Sequence, residues 1–358
     1  MIHITKESNI YVCSPYYNTG GPKSLHQLAS KLAKIIPNVY MVYEYEGQFF
    51  DRKKPLYDFP GLKIASKEDI DDSKDNVIIV PEASTDILNR FKNIKKVIWW
   101  LSKDFYQKYN LWDASKQYIE KKKLSKALIP VVYVGKLVKN PKLYKSIVRA
   151  RSLKPSEFPQ IYHLYNCEYV KDFLTASGVP DDRMHYLCGP LENSFLHLKY
   201  RDIAPFKKNF VAYNPAKIDQ EFLYKIKKYI FTKNKDIKFI PIQNMSRKQV
   251  FDTLRGAKLY IDFGTFPGPE RMPREAVSLY CNIITSKKGS AANNVDVPIP
   301  RENKFDLTDE NVPKVGQLML QMIENYGDYV SQGDQYREKV YDQIESFDQR
   351  IGSIFDIK

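Results

Sequence analysis

The sequence predicts an α/β fold with two domains, each built on a doubly wound parallel sheet. Short apolar segments alternate along the chain with segments whose apolar residues recur at helical spacing. The apolar segments are almost continuously hydrophobic, which is typical of parallel strands that are buried on both faces. With 358 residues, the chain has room for two domains of ~150 residues each.

The first half of the chain begins with a strand, a turn-rich loop and a helix. Strands are predicted over residues 9–14, 38–43, 76–80, 96–101 and 160–165. Helices are predicted over residues 23–35 and 168–177. Residues 103–160 form a basic insertion, which we expect to be helical with interruptions at Pro130 and Pro141.

The second half repeats the same alternation. Strands are predicted over residues 209–213, 237–242, 258–262 and 282–285, with helices over 218–231, 246–255 and 271–280. Residues 189–208 show little periodicity and are interpreted as a linker. We therefore expect an N-terminal domain over residues 1–192 and a C-terminal domain over 193–330. Residues 331–358 are predicted to form a helix that packs back on the first domain.

Composition excludes several classes of protein. Hydrophobic residues make up 43% of the chain and charged residues 27%, so the chain is not disordered by composition. No apolar run approaches the ~18 residues of a membrane-spanning helix, and residues 1–9 lack the apolar centre of a signal peptide. Four widely spaced cysteines form neither a zinc motif nor a dense disulfide framework. We expect a cytoplasmic protein with buried free thiols.

Most of the excess positive charge lies in one segment. Residues 103–154 contain 14 Lys or Arg and three acidic residues, interleaved with several aromatic residues. Such a segment attracts a polyanion: a nucleic acid, an anionic membrane surface or a phosphorylated lipid. The alternative is a solvated basic face without a partner.

Residues 259–300 are the most informative region for chemistry. A predicted strand ends at Asp262, a loop with two glycines follows, and a helix starts near Arg271. The first amides of a helix are unpaired and favour phosphate oxygens. Glu275 lies one turn into this helix, where a carboxylate can accept both hydroxyls of a ribose. Arg271 and Arg274 can pair with phosphate or with Glu270; the alternative is an ordinary helix start with a surface ion pair.

The same region resembles the donor-binding signature of GT-B glycosyltransferases. The run from residue 269 to 285, PERMPREAVSLYCNIIT, is most similar to the retaining family-4 type and to bacterial surface-polysaccharide relatives. Glu275 matches the second glutamate of that signature, which grips the nucleotide ribose. Gly268 stands where the first glutamate would be, and Glu270 is a possible substitute. Ser290 lies in the loop that matches the glycine-rich loop after the following strand.

Further resemblances extend over nearly the whole chain. Gly20 and Gly21 match the glycine loop after the first strand, which in the family lies against the donor phosphates and the acceptor. Ser102 stands where the family has a histidine near the reacting sugar, and Asp104 is the remaining catalytic candidate there.

The second half supplies the other donor-binding candidates. Lys217 follows the first strand of this half beside Asn214, where the family has a basic residue on the diphosphate. Gln243 and Asn244 follow the next strand and are placed to read the base by amide hydrogen bonds.

The resemblance implies a fold with two Rossmann-like domains facing a central cleft, and transfer of a sugar from a nucleotide-sugar co-substrate. Lys217, Arg271 and helix-end amides would stabilise the departing diphosphate, with Asp104 and Glu270 as further catalytic candidates. Retention of anomeric configuration is implied, and the missing first glutamate leaves inversion open. No tightly bound cofactor and no metal are expected, since the sequence has no Asp-x-Asp motif and no ligand cluster.

The expected acceptor is a glycan or a polyprenyl-diphosphate lipid, and the basic segment suggests peripheral association with the inner face of a membrane. One alternative function is a non-catalytic relative that binds nucleotide sugars or glycans. Another is a basic nucleic-acid-binding protein, but it leaves the Glu275 region unexplained and lacks a nucleic-acid-binding motif.

Overall fold

A computed structural model describes residues 1–45, 48–49, 51–109, 115–116, 118–120, 122–139 and 153–357. The chain divides into two compact units. The first comprises Met1–Asn166, Val170–Gly189 and Asp348–Lys358, and the second comprises Cys167–Tyr169 and Pro190–Phe347.

The first unit contains an eight-stranded sheet with the order β4-β3-β2-β6-β7-β8-β9, in which β5 also pairs with β3. Every pair is parallel except β3 with β4. The strands of this half are β1 (Ile2–Ile4), β2 (Ile10–Pro15), β3 (Val39–Tyr45), β4 (Gln48–Phe49), β5 (Lys63–Ile64), β6 (Val77–Pro81), β7 (Lys95–Trp100), β8 (Tyr162–Tyr165) and β9 (Met184–Tyr186).

Helices of this half whose limits are described include α1 (Gly20–Leu32), α2 (Lys103–Tyr109), α3 (Ile129–Lys139) and α4 (Glu168–Ala176). Short 3₁₀ helices cover Glu82–Arg90, Lys126–Leu128, Pro155–Gln160 and Asp181–Arg183. Pro130 does not interrupt a helix as predicted: it is the second residue of α3, where a missing N–H costs nothing. Pro141 lies outside the described residues.

Apolar strands and aromatic side chains form the core of the first unit. All five residues of β6 are buried, as the continuous apolar pattern predicts. Trp99 and Trp100 at the end of β7 are fully buried. Each indole N–H has a partner, since Trp99 Nε1 donates to Leu187 O (2.9 Å) and Trp100 Nε1 donates to His163 Nδ1 (3.0 Å). Burying these large rings therefore leaves no indole donor unpaired.

The second unit contains a five-stranded parallel sheet with the order β11-β10-β12-β13-β14. Its strands are β10 (Lys208–Tyr213), β11 (Lys238–Pro241), β12 (Ala257–Asp262), β13 (Asn282–Ser286) and β14 (Lys304–Phe305). Successive side chains enter opposite cores: Tyr260 packs in one apolar cluster, and Leu259 and Ile261 pack in the other. This two-sided burial explains why the strands are not amphipathic.

The remaining helices are α5 (Tyr200–Ile203), α6 (Gln220–Lys233), α7 (Arg247–Gly256), α8 (Arg271–Ser278), α9 (Val312–Glu324), α10 (Tyr326–Tyr329), α11 (Asp334–Glu345) and α12 (Phe347–Ile354). Residues 189–208, interpreted from sequence as a linker, begin at the boundary between the two units and contain α5 and the 3₁₀ turns Asn193–Phe195 and Ala204–Phe206. After α12, strand β15 (Phe355–Ile357) pairs with β1 in a parallel two-stranded sheet.

The predicted α/β class with doubly wound parallel sheets is confirmed. All four cysteines are buried and free. Among the described residues, none of the helices combines the length and the apolar character needed to cross a bilayer.

Candidate functional site

The predicted catalytic and donor-binding residues of the second unit follow the ends of its parallel strands. Lys217 follows β10, Gln243 follows β11, Glu270 follows β12 and Ser290 follows β13. We call this side of the sheet the carboxyl edge. Ligands of doubly wound sheets bind at such an edge, because the loops and helix N-termini that follow the strands converge there.

Lys217 and Glu270 form an ion pair at the carboxyl edge. The Lys217 side chain is 43% exposed and that of Glu270 is 15% exposed. The loop after β10 is held by its own turn, since Asn214 Oδ1 accepts a hydrogen bond from the amide of Ala216 (3.1 Å). The side-chain oxygen of Asn214 is therefore engaged within the loop, and two of the four predicted catalytic residues contact each other.

Gly264 brings the loop after β12 against the loop after β10. A Cβ at this position would lie 2.6 Å from Lys217 O and 3.1 Å from Asp262 Oδ1, so no other residue fits without a shift. The amide of Asp219 also donates to Phe263 O (3.2 Å), joining the same two loops. The sequence singles out the glycines of this loop for ligand approach, whereas Gly264 serves the approach of another backbone segment.

Asp262 is a buried carboxyl at the last residue of β12. Its oxygens accept from Gly264 N (3.1 Å) and from Tyr260 Oη (3.1 Å). Burial and then the nearby charge of Glu270 raise the pKa of Asp262 to about 7, against opposing effects of these two donors and of Lys217. The sequence predicts Asp262 at a strand end but assigns it no role. An acidic residue directly after a continuous apolar run is the pattern that could have marked it as a candidate site residue.

Two arginines and two glutamates form a network beside the ion pair. Glu275 Oε1 accepts from Arg247 Nη2 (2.8 Å) and from Arg271 Nε (2.6 Å). Glu192 Oε2 accepts from Arg247 Nη2 (3.1 Å) and also from Arg271 Nη2. We call Arg247, Arg271, Glu192 and Glu275 the arginine–carboxylate network. Each arginine thus bridges both carboxylates, and the four formal charges cancel.

Glu275 is fully buried, although its neighbours in the network are not. Its side chain is 0% exposed, compared with 54% for Arg247, 23% for Arg271 and 32% for Glu192. Glu275 Oε2 has no hydrogen-bond partner among the described residues. The sequence interpretation requires the Glu275 carboxylate to be accessible to a ribose, whereas in this structure the carboxylate is buried. Its contacts include the guanidinium groups of Arg247 and Arg271, which are themselves partly exposed.

Arg247 and Glu192 are the members of the network that sequence reasoning missed. Arg247 is the first residue of α7, whose start is fixed by reciprocal hydrogen bonds between Ser246 and Gln249. Burial lowers the pKa of Arg247, but the charges and hydrogen bonds of Glu275 and Glu192 raise it overall. Glu192 precedes the 3₁₀ turn Asn193–Phe195 in the segment predicted to be a linker. No local motif marks either residue.

Helix α8 begins without a side-chain cap and without an acidic residue in its first turn. The first turn of a helix carries partial positive charge on its amides, so this end suits an anion. Arg274 does not complete such a site: its side chain is buried, and Nη1 donates to Gln343 Oε1 (3.2 Å). Arg271 points to the network carboxylates.

Gly268 and Ser290 contact each other directly. The Ser290 hydroxyl donates to Gly268 O (2.8 Å), and the Ser290 amide donates to Phe266 O (2.8 Å). Gly289 precedes Ser290 with a φ of +61°, and a Cβ there would lie 2.0 Å from Phe266 O. Both donors of Ser290 are therefore used to hold the loop after β13 against the loop after β12.

No protein-family model matches the chain, and no curated protein matches its sequence. Solved structures do match. S. aureus TarM, in complex with fondaparinux, α-GlcNAc-glycerol and UDP, is 12% identical with a TM-score of 0.52, over 80% of this chain and 57% of TarM. The chain therefore spans little more than half the length of TarM.

Two further structures match almost end to end. Anabaena HepE, in complex with UDP and glucose, is 9% identical with a TM-score of 0.56, over 97% of this chain and 99% of HepE. WaaG, a glycosyltransferase involved in lipopolysaccharide biosynthesis, is 10% identical with a TM-score of 0.55, over 96% of this chain and 99% of WaaG. These neighbours are GT-B glycosyltransferases. The chain has the GT-B fold. The fold expected from the resemblance is confirmed, and at this level of identity the likeness concerns the fold alone.

In this GT-B fold, the base-reading candidates Gln243 and Asn244 are exposed directly after β11. Asn244 has a φ of +55°, a left-handed conformation that asparagine tolerates better than most residues. Both amide side chains are accessible at the carboxyl edge, and their role in reading the base stays a prediction.

Three predicted residues belong to the first unit. Gly20 and Gly21 are the first two residues of α1 and not part of the loop before the helix, so the helix starts three residues earlier than predicted. A Cβ at Gly20 would meet no atom within 4 Å, and one at Gly21 would meet Leu101 at an ordinary 3.5 Å. Asp104 is the second residue of α2 and is partly buried. Their catalytic and donor-binding roles stay predictions.

Glu82 is a buried acid of the first unit that sequence reasoning did not consider. It follows β6 directly, and one of its carboxylate oxygens accepts from the amide of Leu101 (2.8 Å). Burial raises the pKa of Glu82 to about 8, although this amide acts in the opposite direction. Glu82 therefore fixes the residue that precedes Ser102 and the start of α2.

The basic insertion is described in part. Residues 110–114, 117, 121 and 140–152 lie outside the described residues. Within the described part, Lys122 and Lys123 are exposed, and α3 exposes Val131, Val134 and Val138. These valines recur at helical spacing and form one apolar strip beside exposed lysines.

A separate cavity of about 410 Å³ lies around β14. Its lining includes Lys287, Arg301, Lys304, Phe305 and Lys314, and it contains none of the predicted site residues. Lys304 is committed within the fold, since its Nζ donates to Asn293 O (2.7 Å), Asn294 Oδ1 (2.9 Å) and Val297 O (2.8 Å).

Proposed function

We propose that the chain is a glycosyltransferase that takes its sugar from a nucleotide-sugar donor and binds the nucleotide at the carboxyl edge of the second unit. The observation that carries the proposal is Glu275, a fully buried carboxylate at the edge of a parallel sheet and between two arginines, with one oxygen that has no partner in the described part of the chain. The GT-B fold of the solved neighbours supports it, and HepE and TarM hold UDP in their complexes.

The ribose of the donor would be held by Glu275. A buried acceptor without a partner costs about 1–3 kcal/mol, and a ribose hydroxyl that donates to Oε2 removes this cost. A carboxylate can accept from both hydroxyls of one ribose, which a neutral side chain at this position does less well. Gln243 and Asn244 would then read the base.

The diphosphate would lie near Lys217, Arg271 and the first amides of α8. In the reaction, the acceptor hydroxyl oxygen forms a bond to the anomeric carbon, and the bond from that carbon to the terminal phosphate oxygen breaks. The electron pair stays on the nucleoside diphosphate, and the hydroxyl proton passes to that phosphate if configuration is retained. Positive charge fixed beside the leaving group lowers the barrier. The proposal includes no metal and no tightly bound cofactor.

The remaining predicted residues complete the proposal. Gly20 and Gly21 would leave room beside the donor phosphates and the acceptor, and Asp104 would act near the reacting sugar. Gly268 and Ser290 would shape the loop that faces the donor sugar, and Glu270 would position Lys217 through their ion pair.

The acceptor is proposed to be a glycan or a polyprenyl-diphosphate lipid, used in cell-surface polysaccharide synthesis. Support comes from the basic insertion, whose exposed lysines and valine strip on α3 suit an anionic membrane surface. Nucleic acid is not proposed as a partner, because an apolar strip adds nothing to phosphate binding.

Charge reversal tests the membrane proposal. The double variant K122E/K123E should partition onto phosphatidylglycerol-containing vesicles at least about tenfold more weakly, since each lysine near an anionic surface contributes about 1 kcal/mol. K233E/K235E carries the same charge change on exposed lysines of the second unit and is the matched control. Equal losses in both variants in a vesicle sedimentation assay would reject a specific role for the insertion.

A nucleotide screen tests the proposed function. UDP, GDP, ADP, CMP and dTDP, with and without their sugars, are compared by thermal shift. A ligand at 100 times its Kd should add about 2.7 kcal/mol of stability. If no nucleotide raises the melting temperature, the proposal fails. If a nucleotide sugar binds but is neither hydrolysed nor transferred, the chain is the non-catalytic relative instead of an enzyme.

A further inference from the structure

The predicted phosphate-binding arginine and its neighbour Arg247 are already neutralised within the chain. Arg247 and Arg271 each donate to both Glu275 and Glu192, so two positive charges meet two negative charges. An incoming diphosphate therefore meets guanidinium groups that are already paired, and it competes with a resident carboxylate for their donors.

The two carboxylates differ in how easily they can be exchanged. Glu275 is completely buried on α8, and its removal from the arginines would leave a buried charge without any partner. Glu192 is 32% exposed and precedes a short 3₁₀ turn, so its carboxylate already reaches water. Glu192 is therefore the replaceable member of the network.

We infer that Glu192 is an internal counter-ion that occupies Arg247 and Arg271 until a phosphate group of the donor replaces it. This inference rests on the proposed function and deepens it by assigning a regulatory residue to the same site. A phosphate carries more charge than a carboxylate and offers oxygens on several sides, and arginine forms paired hydrogen bonds with it. The exchange therefore favours the diphosphate once it arrives.

The same exchange removes one of the two arginines that contact Glu275 Oε1. Arg247 is the most exposed member of the network, and its Nη2 contacts both Glu275 and Glu192. When Glu192 leaves and Arg247 follows the phosphate, Arg247 no longer lies against Glu275. Arrival of the diphosphate thereby removes one of the contacts of Glu275, and the covered state of Glu275 is the donor-free state of the site.

The variant E192Q tests the inference. It keeps the size of the side chain and removes the charge that competes with phosphate, so UDP should bind about two- to fivefold more tightly than to the unchanged chain, the range expected for partly exposed ion pairs. Inorganic pyrophosphate, which has the charge without ribose or base, should show a gain of the same size. Both are measured by isothermal titration calorimetry at fixed ionic strength.

Two further variants serve as controls for E192Q. E221Q makes the same charge change on a glutamate that pairs with Lys225, and it should leave UDP affinity unchanged. E192D retains the charge on a shorter side chain, so its affinity for UDP should lie between those of the unchanged chain and E192Q. It replaces E192Q in the test if E192Q does not fold.

The outcomes separate this inference from the proposed function. Equal UDP affinity in E192Q and the unchanged chain would overturn the counter-ion role and leave the function standing. Weaker binding by E192Q would also overturn it, because Glu192 would then support the site. If none of the nucleotides in the screen and no pyrophosphate binds any of these proteins, the proposed function itself fails.

Discussion

The two charged groups at the carboxyl edge of the second unit differ in what anchors them. Lys217 and Glu270 form a simple pair in which the lysine side chain is 43% exposed. The arginine–carboxylate network is built on Glu275, which is fully buried. Exposed pairs contribute little to stability, whereas a buried carboxylate is costly to leave unpaired. Lys217 can therefore act on the leaving diphosphate without being needed for stability. Glu275 is expected both to bind the donor and to stabilise the fold.

The largest effect is expected at Lys217. In K217M, kcat with the donor found in the nucleotide screen should fall about 10²- to 10³-fold, because a charge that stabilises the leaving diphosphate is lost. The free energy of unfolding should change by less than about 1 kcal/mol, since the pair is partly exposed. Steady-state kinetics and urea denaturation measure the two quantities.

A matched control separates charge from position. Lys225 pairs with Glu221 and Asp309 on the same unit, and K225M makes the same substitution away from the predicted site. Its kcat should equal that of the unchanged chain. If K217M keeps full kcat, or if it loses most of its stability, the Lys217–Glu270 pair does not differ from the arginine–carboxylate network in the way described.

A smaller effect on binding, joined to a loss of stability, is expected at Glu275. E275Q should bind UDP about 10- to 100-fold more weakly, since a hydrogen bond to a charged group is worth about 1.5–3 kcal/mol. It should also unfold more easily by about 1–3 kcal/mol, because the arginines lose their buried partner. Calorimetry and urea denaturation, with E221Q as the charge-matched control, measure both effects. Weakened UDP binding without any loss of stability would contradict the anchoring role.

The last expected effect concerns how the free energy of unfolding depends on pH. The pKa of Asp262 is raised to about 7 in the folded chain, so the folded state holds a proton that the unfolded state releases near pH 4. Stability is therefore lost as pH rises from about 4 to about 7 and is level above that. D262N mimics the protonated form and should be more stable than the unchanged chain at pH 8, with the advantage shrinking towards pH 4. Urea denaturation midpoints of D262N and the unchanged chain, measured from pH 4 to pH 8, check this prediction. A difference in midpoint that does not vary with pH would refute the raised pKa of Asp262.

Much of the fold could be predicted because buried parallel strands leave a strong signal. The central strands β6, β7 and β12 fall within one residue of their predicted limits, since continuous apolar runs have clear ends. Short strands such as β9 and β14 were missed, because two or three residues carry no periodicity. Their positions depend on pairing with neighbours that are distant in sequence.

The candidate site was predictable only where residues follow strand ends. Lys217 and Glu270 were placed at one edge because the strands before them are parallel neighbours. Glu192 is 79 residues from Arg271, and no local pattern joins them. The burial of Glu275 could not be predicted from the sequence either, because this burial depends on side chains from other elements that contact Glu275 in the donor-free state.

The most direct test of the account is a crystal structure of the chain with UDP. Glu275 Oε2 should accept a hydrogen bond from a ribose hydroxyl, and the diphosphate should lie against Lys217, Arg271 and the first turn of α8. Glu192 should have left the arginines. A nucleotide bound elsewhere, for example in the cavity around β14, with Glu275 still covered and paired as it is now, would contradict the central claim.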